Sequence, residues 1–334
     1  MTTQPMTPHL TTPAPAGSLL QRAWRFNRPL TLAVILHLAL TPLLLAAMFV
    51  DPRIIGGVNG WIKPLKFALS GAIYGATFLW LLTFVRGRAR LVQGIATITG
   101  VALIVETALI TMQVLRNTVS HFNVATPFDG AVFSIMGIFI MALAVGNFVL
   151  AVVLGFQRLP DPVVAWGIRW GLIISLAGMA SGVLMTTANL PPTAVAAAQA
   201  GQPVTIAGAH SVGVDDGGPG LPFLGWSTTG GDLRVGHFVG LHGLQALPFL
   251  AFLLTRAWAT RRFSTRRRVA LIWTAGLGYL GLTVLLTWQA LRAQPLLAPD
   301  GATLMAAALL CAAMAAAVLI IIASPGRRQT LQHA

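Results

Sequence analysis

Charge is what this sequence lacks most. Of its 334 residues only 9% are Asp, Glu, Lys or Arg, against about a quarter in a typical soluble domain, which excludes an ordinary water-soluble globule. The shortage is uneven: 22 Lys and Arg stand against 8 Asp and Glu. Lys63 and Lys66 are the only lysines, and Glu106 is the only glutamate. A single cysteine, Cys311, excludes an intramolecular disulfide and any Cys-based zinc or iron–sulfur site. No G-x-S-x-G, P-loop or Gly-rich dinucleotide fingerprint occurs. An internal repeat and an inverted pair of Gly/Pro-broken helices, the common transporter signature, are also missing.

Apolar residues are what the chain has instead. They make up 56% of it, and the mean hydropathy of +0.77 excludes a disordered chain as well. About 20 apolar residues cross a bilayer, and eight runs qualify: Leu30–Val50, Pro64–Val85, Leu91–Gln113, Gly130–Phe156, Val163–Asn189, Val235–Thr255, Val269–Leu291 and Ala302–Ala323. The expected fold is all-α, a polytopic membrane bundle of about eight transmembrane helices. The sixth run is the weakest, because its apolar core is short and contains His242. Residues 1–29, rich in Thr and Pro and ending in Arg22, Arg25 and Arg28, read as a disordered basic tail rather than a signal peptide. Residues 30–323 form one transmembrane domain with a long loop at 190–234, and 324–334 a short tail. Gly178-x-x-x-Gly182 in the fifth run suits close helix packing inside the bundle.

Basic residues set the orientation. With the N-terminus inside, Arg86, Arg88, Arg90, Arg158, Arg256, Arg261, Arg262, Arg266, Arg267, Arg268, Arg327 and Arg328 join the tail arginines on the cytoplasmic side. Only Arg53, Lys63, Lys66, Arg116, Arg234 and Arg292 fall outside. An N-in, C-in topology follows, in the cytoplasmic membrane of a bacterium. The net charge of +14 then reflects orientation and anionic lipid rather than nucleic acid, for which no basic face outside the membrane is large enough.

Ionisable groups inside a bilayer are costly and functional by default. At about 1.5 Å per residue, Glu106, His242 and Lys66 share one layer below the outer boundary. Glu106, Gln113 and Asn117 occupy one helix face; Lys66, Ser70, Tyr74 and Thr77 make a second polar stripe; His242 and Gln245 lie on a third helix. The candidate ligand-binding set is Lys63, Lys66, Glu106, Gln113, His121, Asn123, Asp129, Arg234, His237, His242 and Gln245, with Glu106 and His242 expected to meet across the bundle.

Plainer readings stand beside these. Glu106 forms a register-fixing pair with Lys66 or Arg116; the lysines snorkel to headgroups; His121 and Asn123 cap a loop; His37 is a packing residue. A bis-His haem would need His242 with His121 or His237, since His37 lies in the other half. Zinc would draw on His121, His237 and His242 with Glu106 or Asp129, although no HExxH-type spacing is present. The leading function is a multi-pass protein binding or conducting a small polar or anionic ligand or a lipid headgroup. Two alternatives stand beside it: a membrane-embedded enzyme or redox protein (metal, haem or quinone) using His242 and Glu106, and a structural subunit of a membrane complex.

Overall fold

The computed structural model describes residues 17–187 and 189–324. Its elements in chain order are α1 (Leu19–Phe26), α2 (Arg28–Val50), β1 (Ile54–Ile55), β2 (Val58–Asn59), α3 (Ile62–Leu82), α4 (Ala89–Leu115), α5 (Pro127–Phe156), α6 (Pro162–Thr187), α7 (Pro192–Gln199), β3 (Ser211–Val212), β4 (Gly231–Asp232), α8 (Leu233–Leu254), α9 (Ala257–Arg262), α10 (Thr265–Leu291) and α11 (Gly301–Ala323). Among the described residues eight of these helices are long and apolar enough to cross a membrane, and each coincides with one of the eight apolar runs.

Helix starts are set by side chains that take up the orphan N–H groups of the first turn. Asn27 accepts from the Leu30 amide, Thr126 from Asp129, Asp232 from Arg234, Ser264 from Arg267 and Asp300 from Thr303. The 1–29 segment, expected to be disordered, is helical over α1, where Ser18 and Gln21 form a reciprocal capping box. Residues 1–16 of that tail and 325–334 of the C-terminal one lie outside the described residues.

The spanning helices fall into two groups. One is α2, α3, α4 and α5; the other is α6, α8, α10 and α11; α5 and α6 pack together and join them. Between helices in lipid there is no hydrophobic driving force, so close backbone approach and interhelical hydrogen bonds do the joining. Gly178 shows this best: a Cβ there would stand 2.6 Å from the Leu241 nitrogen and 2.7 Å from the Gly240 carbonyl carbon. The small-residue pair of α6 therefore packs within the bundle, against α8. His37, fully buried, shares hydrogen bonds with Ala33 O at 2.7 Å and Thr107 Oγ1 at 2.9 Å, tying α2 to α4.

The two ends of the bundle differ. The basic end carries Arg86, Arg88, Arg90, Arg158 and the 256–268 arginines. Just inside it Phe78, Leu81, Leu82, Leu150, Leu154, Ile168, Leu172 and Leu244 form one core that crosses from α3 and α5 to α6 and α8. The other end is capped. Residues 189–232 lie over it, anchored by β3–β4 pairing, by an isolated bridge from Ile206 to Asn123, and by Asn189 donating to Ala209 O and Ser211 O. The β1–β2 turn, with Gly56 and Gly57 both at positive φ (58° and 79°), fits a tight hairpin. Against it packs the backbone of Gly217, leaving no room for a side chain at Gly57.

Candidate functional site

Two cations fasten the cap. Lys66, in the second turn of α3, donates from Nζ to Leu224 O at 3.0 Å. Arg234, in the first turn of α8, donates to Gly225 O at 2.6 Å while its guanidinium pairs with the fully buried Asp232. These consecutive carbonyls are presented by a turn in which Phe223 and Gly225 both hold positive φ. Each grip is a charge-assisted hydrogen bond across from one helix group or the other to the same turn.

Below the cap lies Glu106, with its side chain 3% exposed. Both of its carboxyl oxygens are buried and make no hydrogen bond. Counting nine residues from the end of α4 puts it about 14 Å into the bundle. Its nearest ionisable partner is His121, whose Nε2 stands 3.7 Å from Oε1. His121 belongs to the α4–α5 connection, so this loop dips inward to reach it. The dip is shaped by Asn117 and Phe122 at φ 58° and 63° and held by Asn123, which donates to Thr118 Oγ1 and Val119 O. A bulky residue at positive φ is costly; here Phe122 is buried against Met185, Leu233 and Ala290, which hold it there.

Other charged groups converge on the same spot. Lys63, one turn above Lys66, is near enough to Glu106, Asp216 and Arg234 for their charges to act on it. His210 of the cap stands 6.5 Å from His121, ring centre to ring centre. Its Nδ1 shares a 2.6 Å hydrogen bond with Asp216, whose other oxygen accepts from the Ser211 amide. His237 on α8 also lies within charge range of His121, while its Nδ1 bonds Gly178 O. Burial, reinforced by Lys63, His210 and His237, drives the His121 imidazole well below the ordinary range. Burial lowers His210 too, with Asp216 opposing. For Asp216 burial acts upward, but the hydrogen bonds from His210 and Ser211 outweigh it and hold the carboxyl low.

The structure thus brings together Lys63, Lys66, Glu106, His121, Arg234 and His237 from the sequence-derived set. It places the others elsewhere. Gln113 and Arg116 both donate to Asp129, which also accepts from Thr126, a closed network that fixes the start of α5. Asn123 shapes its loop. Gln245 donates to Thr77 Oγ1 at 3.2 Å, linking α8 to α3. His242 bonds Phe238 O on its own helix, its ring 4.1 Å from that of Phe238. Glu106 meets His121 instead of His242, which is outside ion-pair range. Among the described residues no three His, Cys, Asp or Glu are placed to hold a metal ion, so His121, His237 and His242 are not assembled as a ligand set.

From the sequence His210 and Asp216 lie in a Gly-rich loop without the spacing of a calcium loop and carry no role, because their pairing depends on where that loop folds back. Tyr74, placed in a polar stripe but not in the candidate set, has its hydroxyl buried without a partner on α3, its ring stacked 5.3 Å from Phe78. Two shallow clefts of about 460 and 500 Å³ open elsewhere, the first beside Phe26 and Gln93 and the second beside Asp51 and Asn117. Compared with protein-family models, curated proteins and solved structures, the chain matches none.

Proposed function

We propose that this multi-pass membrane protein binds a small polar ligand, with both an acidic oxygen and a hydrogen-bond donor, in the cluster beneath the cap. The observation that carries this reading is Glu106. A buried polar group is normally hydrogen-bonded, and a buried carboxyl without a donor must take a proton or meet a donor brought to it. Lys63, close to Glu106, and Arg234, close to Lys63, suit the acidic part of such a ligand, a phosphate monoester or lipid headgroup being the simplest case. Entry requires the cap to release Leu224 and Gly225. By the distribution of arginines we orient the basic end toward the cytoplasm, with N- and C-termini inside.

Binding is tested by thermal unfolding of detergent-purified protein with inorganic phosphate, glycerol phosphate or short-chain phosphatidate. A ligand present at about 100 times its Kd stabilises by about 2.7 kcal/mol. The Glu106→Gln and Lys63→Met proteins should lose that shift while remaining folded. Equal shifts in wild type and both variants, or none in wild type, would overturn the reading. Acid–base chemistry on the ligand is a second reading, favoured by the adjacency of the His121–Glu106 and His210–Asp216 pairs. It moves the enzymatic role from His242 to His121.

A further inference from the structure

We infer that Glu106, His121, His210 and Asp216 form a proton-transfer line connecting the buried carboxyl to the aqueous face of the capped end. The four groups stand in spatial order. Glu106 is 3.7 Å from His121, the His121 and His210 rings are 6.5 Å apart and tilted by 31°, and His210 is 2.6 Å from Asp216. Side-chain exposure runs from 3% at Glu106 through 22% and 19% at the two imidazoles to 32% at Asp216. One end is sealed and the other is wet. The gap between the rings is of a size that a single bridging water spans.

The surroundings keep the line separate and its members aligned. Phe67 of α3 lies edge-on to His121 at 5.8 Å, and Phe122 lies edge-on to both imidazoles at 6.1 and 4.9 Å. Ser120 Oγ stands 3.1 Å from His121 Nδ1, leaving Nε2 toward Glu106. Asp216 is itself fixed by the amides of His210 and Ser211. Charged groups face the line from each packed element: Lys63 of α3 acts on Glu106, His121 and His210; His237 of α8 acts on His121; Arg234 of α8 acts on His210. Lys63 and Arg234, the cations among them, discourage a proton from lodging on either imidazole, so it is passed on.

The step balances simply. For each proton Glu106 accepts, His121 gives one from Nε2 and takes one at Nδ1, past the Ser120 hydroxyl, from the His210 side. His210 gives one from Nε2 and takes one at Nδ1 through Asp216 from water, and each imidazole ends as its other tautomer. Loss of a proton from Glu106 runs the same sequence in reverse. The inference deepens the ligand reading, since a ligand donor can meet a Glu106 carboxylate only after its proton has left. It is nevertheless tested with no ligand present, so the two stand or fall separately.

The test follows the carboxyl C=O infrared band of Glu106, identified by its loss in Glu106→Gln, after a light-triggered pH jump on the purified protein. Asp216→Asn and His210→Gln should slow its change by at least about tenfold, with the same end point, and Asp216→Glu should restore the rate. Wild-type rates in both variants would overturn the inference, as would a Glu106 band that never responds to pH. A second measurement needs no variant. In proteoliposomes of uniform orientation, the Glu106 band should follow the pH of the capped side alone; a response to the basic side would equally overturn it.

Discussion

His121 and His210 are imidazoles kept below their ordinary value of 6.5 in the fold, first by burial. The unfolded chain therefore binds more protons than the folded one just below that value, and stability falls as pH is lowered through it. Asp216, held low in the fold, adds a further loss once the pH passes below 3.8. Thermal unfolding between about pH 7.5 and 5 should show the melting temperature dropping with acid, and His121→Gln should flatten that dependence. Thr107→Val removes the His37 bond between α2 and α4; it should cost about 0.6 kcal/mol, the average for such bonds in membranes, and leave the Glu106 band unchanged. At this scale Glu106 was legible because a lone acid in an apolar run is expensive. Its partner was not. Depth counted along helices says nothing of a loop that turns inward, and the positive φ of Phe122 that turns it has no signature in a bulky residue.

Among the elements, α6 and α8 make the tightest pair, and glycine makes it possible. A Cβ at Gly240 would stand 2.5 Å from the Gly178 Cα, against backbone that cannot move aside. Gly240→Val should therefore destabilise by about 1–3 kcal/mol through overpacking, read as a lower melting temperature in detergent. The eight spans could be drawn from the sequence because hydropathy over about 20 residues decides the matter in a bilayer. α1 left a readable sign as well, since Ser18 and Gln21 have the spacing of a capping box. The cap left none: β3–β4 and the Asn123–Ile206 bridge are short pairings between segments far apart in the chain, and neither run of residues carries a strand pattern.

For the whole molecule the arginine distribution makes a direct forecast. A reporter fused after Arg90 or Arg268 should read cytoplasmic, and one inserted at Asp216 should read external; the reverse at either place would invert the orientation. The arrangement of the two helix groups carries a mechanical consequence too. They are bound like the halves of a book, with α5 and α6 as the spine. At the fore-edge, α3 and α8 face each other without close backbone packing. The lower part of that edge is held by Phe78 and Leu244 in a shared core and by Gln245 donating to Thr77, whereas the upper part is stitched by the Lys66 and Arg234 grips on one turn. Stiffness is therefore graded along the membrane normal. The least work opens the book at its upper corner, sideways into the lipid, between the cap and the level where Glu106 sits.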